Sequence, residues 1–274
     1  MTARKQLRNS KSCLAMKITI NIPSYKRPVV KTLQYIPFAK VWVDESEYDE
    51  YCENNPGGNI ISCPKGIQGN LCRIRNYILD REFEDGADVV LIVDDDLFYV
   101  GRFVVRNGFG YCEERLDTDE LMAFLEKYSI MANDLGAKFW GVNCNNDPIS
   151  YRHSIPFSTR CYIGGPFQCF LKGNECRYDE SLPLKEDYDM TLQQLNRYRV
   201  VLRVNSYHYI CEQSTITGGC AMERNRTREQ QQFELLQQKW GSNIVKRDKS
   251  NKGHSNKIKM PDYNPIIKPP IKGV

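Results

Sequence analysis

Short apolar runs alternate with amphipathic helical segments along most of the chain. Between the third and fourth of the apolar runs, hydrophobic residues recur at helical spacing over residues 66–86 and predict a helix that ends at Gly86. Strands that alternate with helices are typical of an α/β fold with a mainly parallel sheet. We therefore expect one α/β domain with a mainly parallel central sheet flanked by helices. The four β-branched, apolar runs that predict the first strands are at residues 17–25, 39–46, 58–64 and 88–93.

The second half of the chain repeats this alternation. A capping pattern of Asp117 or Thr118 with Glu120 marks the start of one helix, and Gly241 marks the end of the last one. Residues 161–173 have the character of a strand or a hairpin. The remaining predictions are helices at 117–137, 185–199 and 227–241, and strands at 138–144 and 200–211.

The charges divide the chain into an acidic body and two basic ends. The net charge of +4 comprises +5 on residues 1–17, +6 on residues 246–274 and −7 on the residues between them. We predict a basic N-terminal extension at 1–16, a domain at 17–245, and a lysine- and proline-rich tail that is flexible or lies on the surface. The ends fit either contact with a polyanion or plain solvation, and the acidic body fits a bound cation.

Composition narrows the class of protein. A chain of 274 residues that is 41% hydrophobic can bury a sizeable core. No apolar run approaches the length of about 18 residues that a membrane span needs, and the N-terminus lacks the apolar segment of a secretory signal, so we expect a cytoplasmic protein without a membrane partner. The eleven cysteines form no Cys-x-x-Cys pair, which favours reduced thiols over a disulfide framework or a zinc site.

Polar residues follow three of the predicted strands, at residues 23–27, 44–45 and 94–96. The carboxyl ends of parallel strands share one edge of a sheet, where α/β proteins bind ligands. Because the carboxylates of Asp94, Asp95 and Asp96 repel one another, their place after a buried strand favours a bound Mg²⁺ or Mn²⁺ ion. A solvated acidic turn is the alternative explanation for an isolated triplet.

Three downstream features offer further candidates. Glu186 and Asp187 begin a predicted helix, where they either interact with its dipole or supply a general base. His208 lies in a strand context and is either a core residue or a metal ligand. Gly218 and Gly219 suit a loop that binds a diphosphate. The arginines that follow this glycine pair are Arg224, Arg226 and Arg228.

The order of these motifs resembles the nucleotide-sugar-dependent glycosyltransferases of the GT-A fold over residues 17–212. More narrowly, the chain is similar to the TET-associated glycosyltransferases of phages, which act on 5-hydroxymethylpyrimidines in DNA. The resemblance implies a Mn²⁺ or Mg²⁺ ion, a UDP-sugar as donor and 5-hydroxymethylcytosine in DNA as acceptor, in the cytoplasm of the host cell. The segments that carry it are NIPSYKRP, VWVDESE, CRIRNYIL, VLIVDDDLF with its Asp-x-Asp pattern, LPLKEDYDM and SYHY.

The resemblance also implies which residues bind the nucleotide. Asp44 would accept a hydrogen bond from the base, uracil in a UDP-sugar. Arg73 and Asn76 would contact the nucleotide or a phosphate, with Arg75 as an alternative. The residues that would line the base and ribose pocket are Pro23, Tyr25 and Arg27.

For the reaction itself, the resemblance points to the acidic residues. Asp96 would bind the metal directly, Asp94 would reach the ribose or a metal-bound water, and Asp95 is a further contact because the register of ligands in the triplet stays open. Glu186 and Asp187 would face the acceptor, with Asp187 as the catalytic base. The candidate metal ligands are thus Asp94, Asp96 and His208.

Other functions are compatible with the same features. A glycosyltransferase could act on a protein, glycan or lipid acceptor. A metal-dependent nucleotidyl- or phosphoryltransferase also needs clustered carboxylates, normally around two metal ions. A non-catalytic nucleic-acid-binding module would leave the acidic strand ends unexplained.

Overall fold

The computed structural model describes residues 16–105, 111–212, 225–248 and 263–271. Helices cover both faces of a large central sheet. The helices are α1 (Tyr48–Asn54), α2 (Leu71–Glu84), α3 (Thr118–Asp134), α4 (Glu186–Tyr198) and α5 (Arg226–Trp240). The strands are β1 (Ile18–Pro23), β2 (Lys40–Asp44), β3 (Asn59–Cys63), β4 (Val89–Val93), β5 (Leu97–Val105), β6 (Tyr111–Arg115), β7 (Phe139–Asn143), β8 (Phe157–Ser158), β9 (Phe167–Leu171), β10 (Leu202–Cys211), β11 (Val245–Arg247) and β12 (Pro265–Ile267).

Ten strands of the described ranges form the central sheet. Strands β3, β2, β1 and β4 lie side by side in that order and are all parallel, as predicted. The sheet continues through β9, β7, β10, β5 and β6, where β7 and β10 are parallel to each other and the other pairs are antiparallel; β8 pairs with β10. The predicted α/β fold is confirmed, and the antiparallel pair β5–β6 is an addition that the sequence patterns did not indicate.

Strand β4 shows how the core is divided between the two faces of the sheet. All five of its side chains are buried. Val90 and Ile92 pack with residues of α2 and α4, whereas Leu91 and Val93 pack with residues of α3. Successive side chains of a strand point to opposite faces, so an unbroken apolar run identifies a strand that is covered on both sides.

Side-chain caps fix the starts of three helices. The amide oxygen of Asn70 accepts from the first backbone N–H groups of α2. Asp117 and Glu120 form a capping box at the start of α3, which confirms the prediction made for this helix. The helix α5 starts after Asn225, whose side chain accepts from Arg228 N, and ends at Gly241 with a φ of 90°, as predicted.

Helix α5 and the end of the chain form a third apolar cluster beside α4, which includes Leu182, Phe233 and Leu236. Strand β11 pairs with β12 in an antiparallel two-stranded sheet. The predicted domain boundary between residues 245 and 246 falls within β11, so residues 263–271 of the predicted tail belong to the fold. Residues 1–15 and 249–262 lie outside the described residues. In the described ranges, no helix is both long enough and apolar enough to cross a membrane.

Candidate active site

The acidic triplet at residues 94–96 occupies the turn between β4 and β5. Asp95 is buried, and its carboxylate accepts hydrogen bonds from Ser24 Oγ at 2.7 Å and Arg27 Nη1 at 2.9 Å. Asp96 lies 3.8 Å from the same guanidinium nitrogen. The loop after β1 and the turn after β4 therefore meet at the sheet edge where the parallel strands end.

The acidic neighbours of Asp96 outnumber the positive charges close to it, because Arg27 is the cation beside it and Asp94 and Asp95 are its acidic neighbours. Burial, and then the charges of Asp94 and Asp95, raise the pKa of Asp96 to about 7. Burial also raises the pKa of Asp95, although Arg27 opposes the shift. Carboxyl groups in such surroundings ionise readily only when a cation approaches them.

The chemistry of this carboxylate set fits a divalent cation. Asp96 lines a cavity of about 240 Å³ whose other walls include Arg27 and Lys31. Mg²⁺ and similar ions often take only one or two protein carboxylates and fill their other positions with water and substrate phosphates. Across the described part of the chain, no group of three or more His, Cys, Asp or Glu side chains is already arranged to hold a metal ion. Asp96 and Asp94 are the residues that would contribute.

Arg75 connects the triplet to the start of α4. Its side chain is 1% exposed, and Nη2 donates to Asp94 Oδ1 at 2.8 Å and to Gly165 O at 3.2 Å. Its Nη1 donates to Glu186 Oε1 at 3.3 Å. A buried guanidinium that donates to two acidic side chains holds the end of β4 and the beginning of α4 in one arrangement.

Glu186 and Asp187 form the second acidic pair at this edge. Burial, and then the charge of Asp187, raise the pKa of Glu186 to about 8. The Tyr162 hydroxyl donates to Asp187 Oδ2, and the other oxygen of Asp187 accepts from Tyr188 N at 2.8 Å. The rings of Tyr162 and Tyr188 stack with centroids 4.3 Å apart. Burial raises the pKa of Tyr162 well above its usual value, so its hydroxyl remains a donor and fixes the half-buried carboxylate of Asp187.

The predicted nucleotide-binding residues lie at the same edge. Pro23 ends β1, and the half-buried Tyr25 follows with Lys26 Nζ 5.0 Å from its ring centroid. Asp44 ends β2, where Oδ1 accepts from Ser46 Oγ at 2.6 Å and from Ser46 N at 3.0 Å. These hydrogen bonds lower the pKa of Asp44, so its carboxylate is ionised. One of its two oxygens is engaged by Ser46 of the same turn.

Two residues predicted to contact the nucleotide instead hold the segment before α4. Arg73 Nε donates to Glu180 Oε2 at 2.9 Å, and the amide of Asn76 both donates to Tyr178 O at 2.8 Å and accepts from Tyr178 N at 2.7 Å. The rotation of α2 turns Arg75, the alternative, toward the sheet edge, where it meets Asp94. The contact of Arg73 and Asn76 with a nucleotide stays a prediction.

The structure also moves His208 away from the proposed metal ligands. His208 pairs with Gly101 of β5, whereas Cys211 pairs with Leu97, the residue after the acidic triplet. Three residues of strand separate the two pairs, a distance of about 10 Å. The His208 ring is fully buried against Phe103, with centroids 4.6 Å apart, and burial lowers its pKa. Neither ring nitrogen of His208 makes a hydrogen bond to the described residues, and its role as a metal ligand stays a prediction.

The glycine pair Gly218–Gly219 lies outside the described residues, and so does Arg224. The proposed diphosphate-binding loop therefore stays a prediction. In contrast, sequence patterns gave no indication of Ser24 and Tyr162, which donate to the acidic residues, or of Gly165, whose carbonyl accepts from Arg75. Ser24 lies within the NIPSYKRP motif, and this position is the feature of the sequence that could have marked it as a site residue.

Several solved structures are remotely similar to this chain. Residues 1–349 of Staphylococcus aureus TarS in complex with UDP are 15% identical over 71% of this chain, with a TM-score of 0.43. A protein assigned as a nucleotide-diphospho-sugar transferase from Desulfovibrio desulfuricans G20 is 14% identical over 69% of this chain and 80% of its own, with a TM-score of 0.39. The match spans 59% of the TarS fragment. A longer TarS chain is 14% identical over 81% of this chain, with a TM-score of 0.43, and the match spans 40% of that longer chain.

Sequence comparison identifies a family more specifically than the structural similarities do. No curated protein gives a significant match. The sequence model described as TET-associated glycosyltransferase matches residues 31–219, which is more than half of the chain and includes both acidic groups described above. The resemblance noted in the sequence motifs is confirmed, and the chain belongs to the TET-associated glycosyltransferase family.

Proposed function

We propose that the protein transfers a sugar from a UDP-sugar to the hydroxymethyl group of 5-hydroxymethylcytosine in DNA, with the help of Mn²⁺ or Mg²⁺. The observation that carries the proposal is the meeting of two acidic groups, the triplet at 94–96 and the pair at 186–187, across the buried guanidinium of Arg75. Membership in the family supports glycosyl transfer. The identity of donor and acceptor is inferred from the motif resemblance.

The donor half of the proposed site lies around the triplet. Asp96 and Asp94 would hold the ion, which when bound neutralises negative charge on the departing diphosphate. Arg27 and Lys31 line the same cavity and place positive charge within reach of a phosphate. Since Arg27 is already held by Asp95, its guanidinium is oriented before the substrate arrives.

The acceptor half lies at the start of α4. Asp187 would take the proton of the acceptor hydroxyl as its oxygen bonds to the anomeric carbon and the bond from that carbon to the diphosphate breaks. Tyr162 holds the carboxylate in position for this step. Glu186, with a pKa of about 8, is mainly protonated at neutral pH and can donate a hydrogen bond rather than compete as a base.

DNA as acceptor is supported by charge. The two ends of the chain carry +5 and +6, and positive charge of this kind attracts the phosphate backbone in a salt-dependent way. A pyrimidine whose hydroxymethyl group must reach Asp187 at a partly buried site would leave the base stack during the reaction.

The test is a transfer assay with Mn²⁺, a panel of UDP-sugars and DNA that contains cytosine or 5-hydroxymethylcytosine, followed by digestion and mass measurement of the nucleosides. We expect a gain of one sugar only on the hydroxymethylated base. Asp187→Asn should lower kcat by about 10²- to 10⁴-fold because the base is lost. The control is Asp119→Asn, an exposed acid of α3. Modification of a protein or lipid but not of DNA would reject the acceptor, and full activity of Asp187→Asn would reject the base.

A further inference from the structure

Gly165 lies where the two halves of the site meet. It is buried in the segment that precedes β9. A Cβ atom added to it would stand 3.5 Å from Asp187 Oδ2, 3.6 Å from Glu186 Oε1 and 3.7 Å from Arg75 Nη1. Two carboxyl oxygens and a guanidinium nitrogen thus surround one small volume that the glycine leaves free of side-chain atoms.

Neither the backbone nor the packing requires glycine at this position. Gly165 is not among the glycines with positive φ, so an L-residue can adopt its conformation. The three distances are ordinary van der Waals contacts, and a methyl group would fit without displacing its neighbours. The adjacent Gly164 is different, because a Cβ there would lie 2.6 Å from Tyr209 Oη and 2.7 Å from Cys144 Sγ.

The groups around this volume match the needs of a hydroxyl group. An ionised carboxylate oxygen can accept more than one hydrogen bond, and Tyr162 supplies only one of those available to Asp187 Oδ2. Arg75 Nη1 already donates to Glu186 Oε1 and to Gln168 Oε1, so the guanidinium contributes positive charge to this volume. An alcohol suits these surroundings, because its O–H can donate to Asp187 Oδ2 while its oxygen faces that positive charge.

We propose that Gly165 is a specificity-determining residue that keeps open the space in which the acceptor hydroxyl binds between Asp187, Glu186 and Arg75. This inference rests on the proposed glycosyl transfer and assigns the place of the acceptor alcohol within it. An alanine at 165 would fill that space with a methyl group. Gly165 does not line the cavity beside Asp96, so the added methyl group would not enter that cavity.

The experiment compares Gly165→Ala with wild type and with Gly164→Ala. We expect Gly165→Ala to have the melting temperature of the wild type and, in calorimetry, to bind UDP in the presence of Mn²⁺ with the same affinity. Its kcat/KM for a 5-hydroxymethylcytosine oligonucleotide should fall by about 10²-fold, as displacement of a reacting group by about 1 Å typically causes. Donor hydrolysis should fall less than transfer, since water needs less room than a hydroxymethyl group. Gly164→Ala should melt at a lower temperature, because its methyl group overlaps neighbouring atoms.

Two results would overturn the inference. One is wild-type kcat/KM in Gly165→Ala, which would mean that the space does not hold the acceptor. The other is a loss of melting temperature as large as that of Gly164→Ala, which would assign the glycine to packing. If the wild-type protein itself transfers no sugar, the proposed function fails first and the inference falls with it.

Discussion

Replacement of Asp96 by asparagine should stabilise the fold while it removes a proposed metal ligand. In the folded protein the pKa of Asp96 is about 7, against an ordinary value of 3.8, because burial and its acidic neighbours oppose ionisation. The folded state therefore keeps a proton that the unfolded chain releases as the pH rises above about 4. Stability falls through this window, and above pH 7 the full penalty is present.

The size of the effect follows from that shift. Without screening by solvent, a rise in pKa from 3.8 to about 7 corresponds to about 4 kcal/mol. Asp96 is only partly buried, and screening by solvent reduces the expected gain to about 1–2 kcal/mol. In a protein of this size such a gain raises the melting temperature by about 2–8 °C.

Thermal melting at pH 8 and at pH 4 provides the assay. Asp96→Asn should melt above wild type at pH 8, and the difference should largely disappear at pH 4, where the folded protein keeps the proton and the unfolded chain has lost it only in part. Mn²⁺ should stabilise the wild type more than the variant, because a ligand of the folded state alone raises its stability. Asp119→Asn again serves as the exposed control. A variant that melts at or below wild type at pH 8 would refute the account of Asp96.

Two further substitutions test the supports of the acidic pair. Tyr162→Phe removes the donor to Asp187 and should lower kcat by about 10- to 100-fold, since hydrogen bonds to charged groups contribute about 1.5–3 kcal/mol; unchanged steady-state kcat would contradict this role. Asp189→Ala leaves Lys239 Nζ and Trp240 Nε1 without the fully buried acceptor that joins α4 to α5. Urea denaturation should show a loss of about 3–5 kcal/mol, and a loss below about 1 kcal/mol would mean that the contact is not needed.

The spacing of apolar residues in α2 could have shown from the sequence that Arg75, unlike Arg73, lies on the buried face of the helix. Arg75, Ile78, Leu79 and Glu82 are all buried and occupy positions i, i+3, i+4 and i+7 of one helix face. A charged residue on such a face has to find partners of opposite charge inside the protein. Arg73 lies outside this set, as its exposed contact with Glu180 confirms.

The location of His208 relative to the acidic triplet could not be predicted from such spacing. Its distance from the acidic triplet depends on the pairing of β10 with β5, and β5 was not predicted. The run LFYVGRFVV follows the triplet directly and includes Gly101, so it lacked the clear alternation that identifies a strand. Motifs on a parallel sheet edge are predictable because each strand ends in a polar turn, whereas the register of an antiparallel partner is set by contacts distant in sequence.

The supports of α4 come from the last quarter of the chain. Lys185, immediately before α4, is buried with its ammonium group 2.6 Å from Glu229 of α5. Gln232 accepts from Leu184 N at 3.3 Å and donates to Ser181 O at 2.9 Å. During synthesis, where chains emerge from the N-terminus, the donor half of the site can form early, while the segment that positions the acceptor half remains unsupported until α5 leaves the ribosome. The order of translation thus separates the assembly of the two halves in time.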